Sequence, residues 1–209
     1  MSKTPDEIQQ SPVFQPRACP RAGLVVIDAQ RLFLDPLSPA RVTDPESVIS
    51  NSRLLASLFL TLGLPVLFTR HVEPDTAPRG TLAEFFPHPL SPSDPMSVLA
   101  PDFDDLTPLT ATMDKDRHDA FSRGLHPSFT NVTTLYLTGV RTPLCVLATA
   151  LGLARFGITP VVVHDACSAR FRSDHDAALR CLLTGHARVR CTAEAMESIH
   201  SLFRRTDGR

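Results

Sequence analysis

The chain has little that marks a membrane, secreted or nucleic-acid-binding protein. No apolar run approaches the roughly 20 residues that span a bilayer. The first twenty residues lack the apolar core of a signal peptide and carry Pro5, Pro12, Pro16 and Pro20. Neither sign of charge dominates: the net charge is -1, which removes the electrostatic case for nucleic acid or an anionic membrane. Five cysteines (Cys19, Cys145, Cys167, Cys181, Cys191) make an odd count without metal-type spacing, so neither a disulfide framework nor a zinc ribbon is indicated. A reduced, cytoplasmic setting fits best. Tryptophan is absent. No strand leads into Gly-x-Gly-x-x-Gly or a phosphate-binding Gly-x-x-x-x-Gly-Lys-Ser/Thr loop, which disfavours dinucleotide and nucleoside triphosphate sites. There is no Gly-x-Ser-x-Gly elbow, and with it no case for a serine hydrolase. No internal repeat and no second domain are evident.

What is present is an ordinary globular composition, 43% hydrophobic over 209 residues, enough chain for one sizeable core. Residues 1–21 read as an irregular arm and 22–209 as one domain. Leu24 to Ile27, Val66 to Phe68, Leu135 to Leu137 and Thr159 to Val163 are continuous apolar runs, the pattern of strands buried on both faces. Thr110 to Lys115 is a weaker strand candidate, and Val189 marks a last short one. Gly139 is expected to break its strand. Helices alternate with these runs. One is opened by Asp44-Pro45 and closed by Gly63, with Val48, Leu55, Leu58, Phe59 and Leu62 as its apolar stripe. A second runs from Pro143 to Phe156, with Thr142 as N-cap. A third begins at Ser173 and carries Ala177, Ala178, Leu179, Leu182 and Leu183. A last helix is capped by Thr192 and runs through Phe203. This alternation predicts a parallel sheet with helices on both faces. Residues 74–110 are rich in Pro, Ser and Asp, the composition of a lid or interface segment, with a short helical piece over Thr81 to Phe86 and Phe85 and Phe86 as pocket walls or core.

Several side chains stand where α/β sheets hold their ligands. Asp28 ends the first strand, as a functional acid or a turn former. His71 and Glu73 follow the second, as pocket or metal residues or as solvated loop. Lys115 ends the weak strand among Asp114, Asp116 and Asp119, where a surface salt bridge is the default reading, and His118 has a similar surface alternative. Cys145 falls in the first turn of a helix, where free N–H groups and the helix dipole favour a thiolate. It is either a nucleophile or a buried structural cysteine.

Three of these segments, in order, resemble the isochorismatase-like hydrolases, and more closely their cysteine hydrolase branch of nicotinamidases and N-carbamoylsarcosine amidohydrolase. Asp28-Ala-Gln30-Arg-Leu-Phe33 is similar to the family's Asp-x-Gln-x-x-Phe. Lys115-Asp-Arg-His-Asp-Ala-Phe121 is similar to its lysine followed by a small residue and Phe. Gly139-Val-Arg-Thr-Pro-Leu-Cys145-Val is similar to Gly-Val-x-Thr-x-x-Cys-Val, and Asp165-Ala166 matches the Asp-Ala after the next strand. The resemblance implies a three-layer α/β/α fold with a six-stranded, mostly parallel sheet. It implies a catalytic triad of Asp28, Lys115 and Cys145, a cis peptide at Val140–Arg141, and an oxyanion hole from the N–H groups of Arg141 and Cys145.

The activity implied is hydrolysis of a small amide or carbamoyl compound through a thioester, with release of ammonia. Asp28 would serve both the thiol and the hydrolytic water. Phe33, His71, His118, Phe121, Arg141 and Arg170 are the candidate substrate contacts, Arg141 and Arg170 for an anionic group. Nicotinamidases carry an Asp-x-His metal motif where this chain has His71 and Glu73, so no metal and no cofactor are expected. True isochorismatases lack the cysteine, which argues against vinyl-ether hydrolysis. The alternatives are a catalytically silent member that binds a ligand or a protein partner, and an isochorismatase or nicotinamidase proper. The expected partner is a small-molecule substrate, with no nucleic acid and no membrane, in a homo-oligomer.

Overall fold

The computed structural model describes residues 21–73 and 90–206. The expected arm (all but Arg21), Cys19, and the helical piece with Phe85 and Phe86 lie outside them. In chain order the main elements are β1 (Ala22–Ile27), α1 (Arg31–Leu34), α2 (Pro45–Thr61), β2 (Val66–His71), β3 (Ala111–Lys115) and β4 (Thr134–Val140). A turn at Thr142–Val146 then leads into α3 (Leu147–Gly152), followed by β5 (Thr159–Ser168), α4 (Arg172–Leu183), β6 (Arg188–Arg190) and α5 (Thr192–Thr206). The sheet has six strands in the order β3-β2-β1-β4-β5-β6. Every pairing is parallel, where the sequence resemblance implied mostly parallel. The strand order reverses between β1 and β4, the switch point at which such sheets form a crevice at their carboxyl ends.

The continuous apolar runs are explained by two cores. Leu24, Val26, Phe68, Tyr136 and Val163 point to one face, against Val48, Leu55, Ala56 and Phe59 of α2 and Ala195 and Ile199 of α5. Val25, Ile27, Leu67, Leu135, Leu137 and Val162 point to the other, against Val146, Ala150, Leu153, Phe129 and Leu182. Alternate residues of one strand therefore feed opposite cores, and neither face tolerates a polar alternation. Phe59 and Tyr136 meet edge to face with ring centres 5.5 Å apart.

Helix α2 starts as its sequence predicts, with the Asp44 side chain accepting from the Ser47 N–H and Pro45 in the first turn. In its stripe, Leu58 and Leu62 are half-buried, while Ser52 and Ala56 join Val48, Leu55 and Phe59 inside. Gly139 does not break its strand. It bends β4 within the sheet, with φ +102° and a register shift between Leu137 and Gly139. It approaches β1 so closely that a Cβ there would fall 2.0 Å from the Ile27 carbonyl oxygen. The expected helix from Pro143 is three consecutive pieces: a π-type turn from Thr142, the α-helix, and a 3₁₀ turn at Leu153–Phe156 closed by left-handed Gly157. Helix α4 starts one residue early and leaves Ala177 and Leu183 exposed.

The described end of the proline-rich segment is ordered against the sheet edge, with 3₁₀ turns at Pro101–Phe103 and Thr107–Leu109 and an antiparallel bridge from Leu99 to Gln30. Asp165 within β5 ties α5 to the sheet. Its Oδ1 accepts from both the N–H and the hydroxyl of Thr192, each at 2.8 Å. Among the described residues, no helix is long and apolar enough to cross a membrane.

Candidate active site

Asp28 leaves β1 in the left-handed region, φ 49°, which Asp tolerates better than most residues. Its N–H donates to the Thr69 carbonyl on β2, and its Oδ1 accepts the Thr69 hydroxyl at 2.7 Å. Oδ2 lies 2.7 Å from Nζ of Lys115. Lys115 ends β3 in register with His71 at the end of β2, and this brings a lysine from the sheet edge back toward its centre. Its ammonium also donates to the Arg117 carbonyl at 3.0 Å and to Cys145 Sγ at 3.4 Å. The surface salt-bridge alternative is thereby excluded: the lysine is 7% exposed and the aspartate wholly buried. Burial pulls the Lys115 pKa down, but the opposing charges of Asp28 and Cys145 hold it above its ordinary value.

Cys145 sits in the turn entering α3, 7% exposed. Burial pushes its thiol up to about 12, Lys115 working against that and Asp28 with it. Burial therefore works against the thiolate that the helix start was expected to favour. The peptide before Arg141 is cis, as the resemblance implied. Thr142, expected as a cap, is instead the first residue of the turn, and its hydroxyl pairs with Nδ1 of His175 on α4 at 2.8 Å.

His118 puts Nδ1 3.6 Å from the sulfur and is half-buried, not on the surface. Burial lowers its pKa, and His71 and Lys115 add to that. Its loop is fastened to the helix behind the cysteine. The Ala120 N–H donates to the Thr149 hydroxyl at 3.0 Å, and Arg155 pairs with Asp119 at 2.7 Å. Gly152 lets that loop approach, since a Cβ there would fall 2.4 Å from Asp119 Oδ2.

His71 is buried, with Nε2 3.1 Å from Oε1 of Glu73. Its backbone is clamped by Gln30, whose amide oxygen accepts the His71 N–H at 2.8 Å and whose amide donates to the His71 carbonyl at 3.0 Å. The same amide reaches the Ser97 carbonyl at 2.7 Å. Gln30 thus ties β2 to the segment before β3. Sequence reasoning quoted Gln30 as a motif position without a role and gave none to Thr69. Their signal was the polar type at the end of an apolar strand.

Of the remaining expected contacts, Arg141 is half-buried. Its guanidinium lies 5.3 Å from the centre of the Phe33 ring and donates to the Ala40 carbonyl at 3.2 Å. Burial lowers its pKa, and the charge of nearby Arg170 lowers it further. Arg170 is exposed and packs over Phe171. Phe121, the other aromatic candidate, lies in the same core cluster as Cys145. Its ring is wholly buried, edge to face with Phe129 at 6.0 Å, because the Lys115–Phe121 loop turns it into the core while leaving His118 on the site.

Fold and site together define a hydrolase of the three-layer α/β class. The sequence matches the isochorismatase domain over residues 22–194, and the chain belongs to the isochorismatase family. No curated protein is significantly similar in sequence. Among solved structures, an isochorismatase-like hydrolase from Alkaliphilus metalliredigens superposes with a TM-score of 0.71 at 19% identity, covering 85% of this chain and 98% of its own. A cysteine hydrolase from Pseudomonas syringae pv. phaseolicola gives 0.73 at 19%, covering 87% and 93%. Nicotinamidase from Bacillus subtilis gives 0.68 at 22%, covering 81% and 99%.

A nicotinamidase-type metal does not fit these residues. His71 and Glu73 replace the Asp-x-His pair, and they bond each other. Asp28, His71 and Cys145 do offer ligand atoms within 4.8 Å of one another. The Lys115 ammonium, however, lies 2.7 Å from the Asp28 carboxylate and 3.4 Å from the sulfur, so a second cation would face its charge at close range.

Proposed function

We propose that the protein is a cysteine-dependent hydrolase of a small amide or carbamoyl compound, acting through a thioester and releasing ammonia. The observation that carries this reading is the Lys115 ammonium set between Asp28 Oδ2 at 2.7 Å and Cys145 Sγ at 3.4 Å, out of water. A thiol held near 12 needs a base at the moment of attack. Asp28 takes that proton as sulfur bonds to the substrate carbonyl carbon, and Lys115 balances the negative charge passing between them. The N–H groups of Arg141 and Cys145 hold the oxyanion, an interaction whose loss typically costs about 10²–10³ in rate. Asp28 then protonates the departing nitrogen, the C–N bond breaks, and ammonia leaves. Water hydrolyses the thioester to the acid and restores the thiol.

Arg141, stacked near Phe33, and Arg170 beside it suit a substrate bearing an anionic group. A homo-oligomer working in the cytoplasm on a small molecule completes the reading, and native mass spectrometry reads the subunit number. The test of the function is a panel of small amides and carbamoyl compounds, neutral and anionic, with ammonia as readout. Wild type should turn over at least one, and Cys145→Ser should abolish it. Turnover that survives that change overturns the mechanism.

A further inference from the structure

The triad leaves one buried base unused. His71 is 8% exposed, and its Nδ1 is buried without a hydrogen-bond partner among the described residues. Leaving such an atom unsatisfied is costly, so a buried ring nitrogen held this way invites a role. One ring nitrogen of His71 lies within 4.8 Å of both an Asp28 carboxylate oxygen and the Cys145 sulfur, yet makes a hydrogen bond to neither. A base within that range of the sulfur can act through one bridging water. Nε2 is held at 3.1 Å by the buried Glu73 carboxylate, as an orienting acid holds a catalytic histidine, which leaves Nδ1 as the ring's unpartnered nitrogen among the described residues. Gln30 fixes the His71 backbone from both sides.

Asp28 is poorly placed to serve a water as well. Its Oδ1 accepts from Thr69, and its Oδ2 pairs with Lys115. Among the described residues, the charged and titratable groups around His71 include Glu73 beside it, Lys115 in register on β3, Asp28, Cys145, and His118, whose ring stacks at 6.3 Å.

We infer that His71, backed by Glu73, is the base that activates water for the second half of the reaction. This rests on the cysteine-hydrolase reading above. The water oxygen bonds to the thioester carbon while one water proton moves to His71, and Glu73 steadies the imidazolium. The C–S bond then breaks. The new carboxyl hydroxyl gives its proton to the departing sulfur and takes one back from His71, so the site ends as it began. Asp28 keeps the first half, moving the thiol proton to the amine.

The test uses p-nitrophenyl acetate, which acylates a nucleophilic cysteine without needing an acid for its leaving group. In wild type, intact mass should show one acetyl group on Cys145, and p-nitrophenolate release should show a burst followed by steady turnover. In His71→Asn the burst should persist, the acetyl-enzyme should accumulate, and steady turnover should fall about 10²-fold or more. Glu73→Gln should slow the same step less, and it carries the test if His71→Asn does not fold. Deacetylation at the wild-type rate in His71→Asn, or in Glu73→Gln where only that variant folds, overturns the assignment while leaving the cysteine mechanism standing. A wild type that is never acetylated on Cys145 overturns the cysteine mechanism itself.

Discussion

Oδ2 of Asp28 and Nζ of Lys115 stand 2.7 Å apart, with both side chains closed off from water. They come from strand ends with a whole strand between them, β1 and β3 flanking β2, and Thr69 on that middle strand bonds the same carboxylate. Breaking such a pair leaves one uncompensated buried charge, at about 3–5 kcal/mol. Lys115→Met and Asp28→Asn should each destabilise by that order and abolish turnover. The double variant should be less destabilised than the sum of the two. Urea unfolding of the four proteins checks this, and strict additivity would show that the pair is not coupled.

The Cys145 thiol gives a pH signature. An unfolded cysteine ionises near 8.5, while the folded one stays protonated to about 12. Between those values the folded state binds the extra proton, so stability falls as pH rises; below about 8.5 the group contributes nothing. The resting enzyme should therefore react slowly with iodoacetamide at neutral pH, its Cys145 rate still climbing with pH beyond 9. Mass spectrometry of the alkylated chain reads this. A rate already level at pH 7 would mean a resting thiolate, and with it a different division of labour between Asp28 and Lys115.

Gly139 carries a backbone demand independent of the chemistry. Its φ of +102° and the 2.0 Å approach to Ile27 leave no room for a side chain. Gly139→Ala should cost at least about 3 kcal/mol, combining a disfavoured conformation with a backbone clash. Thermal unfolding measures it, and a melting temperature within a degree or two of wild type would contradict the account.

Much of this architecture was legible because strands buried on both faces must be continuously apolar. Leu24 to Ile27 and Val161 to Val163 show that without ambiguity. Asp28, Lys115 and Cys145 were legible as candidates from their recognisable order, and the structure brings their side chains together. Burial of Lys115 was not, because its own segment is all charge: three acids surround it, and only the parallel pairing of β3 on β2 turns it inward toward Asp28. The setting of Phe121 was open for the complementary reason. An aromatic three residues beyond His118 reads equally as pocket wall or core, and the loop geometry decides. His71 and Glu73 were read as pocket, metal or loop, while their mutual bond depends on a backbone held by Gln30, a long-range contact no local pattern encodes. Gly139 was read as a stop because glycine usually weakens strands, whereas here the demand is close approach to a neighbour.

The side chain of Arg141 separates binding from chemistry. Its N–H belongs to the proposed oxyanion hole, but its guanidinium turns away to Phe33 and the Ala40 carbonyl, within range of Arg170's charge. An anionic group on the substrate would offset the charge of Arg170 felt at Arg141. Arg141→Ala keeps the backbone N–H and removes only the side chain. On an anionic substrate, KM should rise about 10- to 100-fold, the value of a charged hydrogen bond of about 1.5–3 kcal/mol, with kcat within a few-fold of wild type. Arg141→Lys should recover only part of this, because an ammonium neither stacks on Phe33 nor bonds an anion in two places. On a neutral amide both variants should match wild type. If kcat falls and KM holds, Arg141 acts through the turn that carries Cys145, and its side chain reads no charge on the substrate.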